Sequence, residues 1–183
     1  MNIIACSLKG LFLVEPKVFG DSRGFFKETY SQRHFAQAGL KVSFVQDNAS
    51  RSCRGVLRGL HLQIPHTQGK LVSVLDGEVF DVAVDLRKNS PTFGQWEGFL
   101  LSADNHRQLY IPEGFAHGFL TMSDTALFVY KCSDFYHPEC EITIQWNDPD
   151  IGIKWPQVEG LCISDKDRKG LALKDIDCSK LSF

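Results

Sequence analysis

Apolar and polar residues along this chain alternate with a period of two in one segment after another, and a helical period is rare. The clearest case is Glu78 to Leu86, where Phe80, Val82, Val84 and Leu86 share one face and Val79, Asp81, Ala83 and Asp85 the other, as in a strand. Lys70 to Leu75 is a second β-rich run, and Asp76-Gly77 between them predicts a hairpin turn. Further strands are expected over Leu11 to Phe19, Val42 to Ser50, Val56 to Gln63, Trp96 to Ser102, Gln108 to Ile111, Gly118 to Met122, Ala126 to Cys132 and Glu141 to Trp146. Gly, Pro, Asn or Asp separates them, which predicts a β-sandwich or barrel. One internal helix is expected over Ser31 to Ala38, with Ser31 as N-cap and Gly39 after its end, and a second short helix near the C-terminus.

The 183 residues are 43% hydrophobic and 23% charged, enough to bury a core without covalent staples. No repeat or linker-like tract divides them, so one domain over residues 1–183 is expected. A formal net charge of −2 argues against coating a nucleic acid, which takes a large excess of Lys and Arg. No apolar run is long enough to span a bilayer, and no basic segment precedes the short apolar N-terminus, so no secretory signal is expected. The six cysteines, Cys6, Cys53, Cys132, Cys140, Cys162 and Cys178, are scattered and form no Cys-x-x-Cys pair. That spacing suits reduced thiols in a cytoplasm better than a zinc ribbon or redox motif.

Three segments carry candidate chemistry. On Gly55 to Gln63, alternation puts His61 and Gln63, and Gly59 with them, on one face and sends Arg58 to the other unless a glycine bulge re-aims it. Polar, titratable groups on an inner strand imply a lined pocket, because burying them unpartnered costs about 1–3 kcal/mol each; an isolated histidine is more often on a surface edge. Ile111 to Phe119 contains Pro112-x-Gly114-x-x-His117, similar to the second motif of the cupin superfamily. A metal-binding cupin adds a His-x-His and a Glu, whereas here His61 is followed by Gln63, and Lys70 would oppose a divalent cation. The barrel therefore reads as cupin-like with no metal or other cofactor. The third segment, Ala126 to Cys132, is an apolar strand bearing Tyr130, a residue that by itself reads as core.

Taken together the motifs resemble the dTDP-4-dehydrorhamnose 3,5-epimerase family over nearly the whole chain. The matching stretches are Asp21 to Glu28, Phe44 to Asn48, Val56 to Gln63, Gln68 to Val72, Gly77 to Leu86, Pro91 to Gly94, Pro112 to Phe119, Trp146 to Pro149 and Ile163 to Asp167. The resemblance implies a double-stranded β-helix, or jelly roll, that is mainly β with a few short helices. It also implies a metal-free homodimer whose substrate is a dTDP-sugar, dTDP-4-dehydro-6-deoxy-D-glucose, on the route to L-rhamnose for cell-surface polysaccharides.

A proton beside the C4 ketone is acidic only as far as the enolate left behind is stabilised, and epimerisation needs a base and an acid on opposite faces of the ring. The resemblance implies His61 as base, Tyr130 as acid, Asp167 as the carboxylate fixing the imidazole, and Lys70 as the charge beside the enolate oxygen. It implies Arg23, Arg58 and Lys166 for the pyrophosphate and sugar, and Glu28, Gln46, Asn48 and Phe26 for the thymidine half. His117 and Glu141 match further pocket positions. If the dimer forms, the segment bearing Arg23 and Glu28 is expected to reach the partner's pocket.

Where the family carries an aromatic after His61, this chain has Leu62, which alternation turns away from His61. Tyr136 competes with Tyr130 for the role of acid. Three rival readings stay open at this level: an enzyme epimerising one carbon or isomerising a related keto sugar, a metal-dependent cupin using His61, His117 and a third ligand, and a catalytically silent binding module.

Overall fold

The computed structural model describes residues 1–177, so Cys178 lies outside the described residues. The strands are β1 (Asn2–Ala5), β2 (Phe12–Glu15), β3 (Val18–Asp21), β4 (Gly24–Lys27), β5 (Gln46–Cys53), β6 (Val56–Gln63) and β7 (Lys70–Asp76), followed by β8 (Glu78–Asp85), β9 (Trp96–Ser102), β10 (Gln108–Ile111), β11 (Phe115–Thr121), β12 (Thr125–Cys132), β13 (Glu141–Thr143) and β14 (Cys162–Ile163). Two short helices, α1 (Gln32–Gln37) and α2 (Asp165–Arg168), complete the set with two single 3-10 turns.

The strands form two sheets in the orders β1-β2-β10-β7-β12-β5 and β13-β6-β11-β8-β9, with β14 added to β6, and a separate β3-β4 ribbon. Neighbours in a sheet are mostly distant in sequence, which is the crossing connectivity of a jelly roll. Val72 and Val74 of β7, Leu109 of β10 and Phe128 of β12 meet Val79 and Ala83 of β8, Leu101 of β9 and Phe119 of β11 between the sheets. Each of the Val, Leu and Phe side chains among them stabilises by about 1.5–3 kcal/mol on burial. The other face of the second sheet is covered as well: Val82, Val84 and Leu86 pack with Leu60, Leu62, Ile144, Ile151 and Ile176. That double burial explains why both faces of Glu78–Asp85 are largely apolar, and why the two buried carboxylates, Asp81 and Asp85, stand out.

Several boundaries differ from the sequence expectation for identifiable reasons. Leu11 to Phe19 splits into β2 and β3 at Pro16, which has no N–H to donate to a ladder. Val42 to Phe44 precede β5 as irregular chain, because Val42 and Phe44 pack sideways on Phe35 and Tyr30 instead of pairing. The Asp76-Gly77 hairpin is overturned: β7 and β8 belong to different sheets, and the turn is a corner between them. Gly77 is required there, with φ of +77° and a Cβ position that would lie 2.0 Å from the Thr125 carbonyl oxygen. Helix α1 forms as expected, Ser31 accepting from the His34 amide.

Candidate active site

The site grows from a defect in β6. His117 pairs with His61 and Phe119 with Arg58, so β6 carries one residue more than β11 over this stretch. Gly59 absorbs it at φ +117°, where an added Cβ would sit 2.6 Å from the Gly118 Cα. Such a bulge shifts the two-residue alternation. Arg58, which simple alternation sends away from His61, thus joins it on the wall of one cavity of about 310 Å³. Leu62 faces outward into the apolar layer, as expected.

His61 Nε2 lies 2.6 Å from Asp167 Oδ1. Asp167 is 4% exposed and is fixed from two further sides, Oδ2 accepting from the Gly59 amide at 3.4 Å and its own amide donating to Ser164, the N-cap of α2, at 3.1 Å. Burial by itself would raise this carboxyl, but the hydrogen bond and charge of His61, with Gly59 and Ser164, outweigh it and hold the group below the ordinary aspartate range. A carboxylate so placed fixes the imidazole's orientation and stabilises its protonated form.

The opposite wall comes from the other sheet. Lys70 and Tyr130 project into the cavity from β7 and β12, with Gln46 and Asn48 of β5 beside them. Burial drives the Lys70 ammonium below the ordinary lysine range, countered in part by Cys132, Glu141 and Asp81. Burial also raises the Tyr130 phenol, helped by Cys132 and Glu141 and opposed by Arg58, so it stays protonated at neutral pH. Its hydroxyl makes no hydrogen bond among the described residues, whereas Tyr136 donates to Glu141 Oε2 at 2.6 Å. That bond pushes Tyr136 up to about 12. Glu141 also holds Lys166 at 2.5 Å; burial would raise its carboxyl, yet Lys166, Tyr136 and His61 bring it below the ordinary glutamate range.

His117 completes the floor. Its Nε2 is 2.9 Å from Asp81 Oδ2, and the pair is buried. Asp81 escaped the sequence reading, although it is one of two carboxylates, with Asp85, on the inward face of β8, and Asp85 is taken up by Arg87, Ser90 and Thr92. Ser52, which accepts from Arg58 Nε at 3.1 Å, gave no such signal.

Of the residues singled out from sequence, His61, Lys70, Tyr130, Gln46, Asn48, Arg58, His117 and Glu141 line this cavity, with Asp167 behind His61. Lys166 stands outside the lining, on the far side of Glu141. Arg23, Phe26 and Glu28 do not reach it within the chain. Arg23 sits at the tip of the β3-β4 ribbon, paired with Asp21 and with its side chain 87% exposed; Phe26 is 70% exposed; Glu28 bonds His34 at 2.8 Å.

Nor does the cavity offer a metal cradle. The Lys70 ammonium enters beside His61 and His117, and among the described residues neither histidine belongs to a group of three converging His, Cys, Asp or Glu donors.

The sequence profile of the dTDP-4-dehydrorhamnose 3,5-epimerase family matches residues 5–175. The chain belongs to this family. It is 58% identical to the dTDP-4-dehydrorhamnose 3,5-epimerase of Pseudomonas aeruginosa over 97% of this chain and 99% of that protein, and 53% identical to its Escherichia coli K12 counterpart over 99% of each. The crystal structure of the dTDP-6-deoxy-D-glucose-3,5-epimerase of Legionella pneumophila in complex with dTDP-4-keto-L-rhamnose superposes with a TM-score of 0.96 at 53% identity, covering 99% of this chain and 97% of that one. A 3′-monoepimerase of Streptomyces bikiniensis in complex with dTDP-quinovose is more distant, with a TM-score of 0.88 at 35% identity over 93% of this chain and 87% of that one. Membership in this family makes the chain a carbohydrate epimerase with the jelly-roll, cupin-like fold seen here.

Proposed function

We propose that the chain epimerises C3 and C5 of dTDP-4-dehydro-6-deoxy-D-glucose, giving dTDP-4-dehydro-L-rhamnose in dTDP-L-rhamnose biosynthesis. The observation that carries this reading is the placement of His61 on one sheet, backed by Asp167 of α2, and of Tyr130 and Lys70 on the other, facing each other across one cavity. His61 takes the proton as the C–H bond breaks, the electron pair passes to the C4 oxygen beside Lys70, and Tyr130 returns a proton to the opposite face. Arg58, with Lys166 beyond Glu141, supplies cationic donors for the pyrophosphate, and Gln46 and Asn48 supply amides for the thymidine half.

The test is incubation with dTDP-4-dehydro-6-deoxy-D-glucose in deuterium oxide, followed by NMR. Deuterium is expected at both C3 and C5; label at one carbon would make the chain a single-site epimerase, and no label would remove the reading. Tyr130 is the acid because its hydroxyl is uncommitted while that of Tyr136 is held by Glu141. Tyr130→Phe should therefore lower product formation by about 10²-fold or more while proton abstraction continues, and Tyr136→Phe should leave both within about tenfold. The reverse ranking would transfer the role to Tyr136.

The functional unit is proposed to be a homodimer in which Arg23, Phe26 and Glu28 of one copy serve the cavity of the other. The ribbon bearing them exposes Phe19, Phe25 and Phe26 together, an apolar surface that calls for a cover. Mixing inactive His61→Ala and Arg23→Ala proteins and letting subunits exchange should restore activity to about a quarter of wild type, because half the dimers are mixed and each has one intact site. No rescue would mean that each ribbon serves its own chain. One cupin-like domain acting in the cytoplasm accommodates all of this, and the five described cysteines, all free, suit a reducing compartment.

A further inference from the structure

Just outside the cavity, two loops bring together side chains for which the epimerase chemistry has no use. Residues 64–69 join β6 to β7, and residues 133–140 join β12 to β13. His66 comes from the first loop, and Asp134 and His137 from the second. One donor atom of each lies within 4.8 Å of the other two, with His66 Nδ1 3.3 Å from Asp134 Oδ2. The two imidazoles stack at 4.1 Å between centroids and 19° between planes, and Glu139 approaches His137 Nδ1 at 3.3 Å as a further carboxylate.

The loops are held in register independently of these side chains. Buried Gln63 uses both ends of its amide, Nε2 donating to the carbonyls of His66 at 2.7 Å and Phe135 at 3.1 Å, and Oε1 accepting from the His137 amide at 2.8 Å. Gln68 Nε2 donates to the Asp134 carbonyl at 2.9 Å, and Ser133 and Gly69 exchange two further bonds. His66 is held at φ +67°, a conformation that a residue with a Cβ keeps only where its surroundings impose it. Two imidazoles and a carboxylate, on a scaffold that does not rely on them, bring one donor atom each within 4.8 Å of the others, a donor set of the kind a borderline divalent cation takes once the stacked rings turn their nitrogens toward it.

We propose that His66, Asp134 and His137 bind a divalent transition-metal ion of the zinc type at the rim of the cavity, separate from the catalytic groups. Bound there, the ion crosslinks the two loops and restrains Tyr136, which lies between Asp134 and His137 and lines the cavity. Open coordination positions are left for water or for Glu139.

The probe is Zn²⁺ alone, titrated into tag-free protein in competition with a chromophoric chelator. One ion per chain is expected, weakened at least tenfold by His66→Ala and by His137→Ala. Far-UV circular dichroism should be unchanged, since both side chains are part-exposed and the loops keep their Gln63 and Ser133 bonds. Amide exchange of residues 133–140 should slow on adding Zn²⁺ in wild type and not in the variants. Binding that is absent, or that persists unchanged in the double variant, overturns the proposal. So does thiolate charge-transfer absorption with Co²⁺, which would assign the ion to cysteine.

Discussion

Replacing His61 with asparagine should lower kcat by about 10³–10⁴-fold with little change in KM, because a general base contributes most of that range and its loss is felt in the transition state. The side chain is part-exposed at the cavity wall, and asparagine fills much of the imidazole's volume, so the fold and the cavity wall formed by Arg58, Gln46 and Asn48 should remain. Deuterium wash-in at both C3 and C5 should fall in step with turnover. Wash-in retained at one carbon would show that a second base serves that position, and His117, 2.9 Å from Asp81, would be the group to test. A variant within tenfold of wild type would remove His61 from the mechanism.

Asp167→Asn separates orientation from proton transfer. The amide keeps the shape but lacks the charge that stabilises the imidazolium, so kcat should fall by about 10²–10⁴-fold. Stability should respond as well, with a definite sign. The Asp167 carboxyl is held below its ordinary value, so its contribution is complete above the unfolded value of about 3.9 and is lost as pH falls through the lower folded one. Asp167→Asn should therefore melt below wild type at pH 7, with the gap closing in acid. Equal melting temperatures at pH 7 would show that the ion pair adds nothing to folding.

How much of this was legible in the sequence depends on whether a local rule governs each residue. The alternation of Glu78 to Leu86 was enough for β8, and Ser31 with Gly39 for α1, since period and caps are local. Asp76-Gly77 misled because the same left-handed glycine that closes a hairpin can also turn a corner between sheets, and only the partners of β7 and β8 distinguish the two. The residues of the dyad are 106 positions apart, and nothing in either segment announces the other; family resemblance supplied the pairing. Arg58 could be placed only with the bulge at Gly59, which the glycine made imaginable and the register with β11 made definite. Arg23, Phe26 and Glu28 show the limit, because a single chain leaves them outside the cavity and the place proposed for them calls for a second copy.

Lys70 should show the opposite coupling of activity and stability. Lys70→Met is expected to lower kcat by about 10²–10³-fold, the usual effect of removing one donor from a developing oxyanion in a dry site. It should also raise the melting temperature at neutral pH. Burial holds the folded ammonium below its ordinary range, so over the interval between the folded and unfolded values the unfolded chain binds more protons and stability rises with pH. The charged lysine thus costs the fold most below that interval and least above about pH 10.4. Methionine matches its length without the charge, and each 1 kcal/mol so relieved is worth about 2–4 °C for a chain of this size. Thermal melts of both proteins at pH 7 and at pH 10 provide the check, with the variant ahead at pH 7 and its lead shrinking in alkali. A variant that loses activity and stability together would show that Lys70 holds the barrel together and that its place beside the substrate is incidental. A stable variant with full turnover would leave the enolate without its cation and direct attention to Arg58.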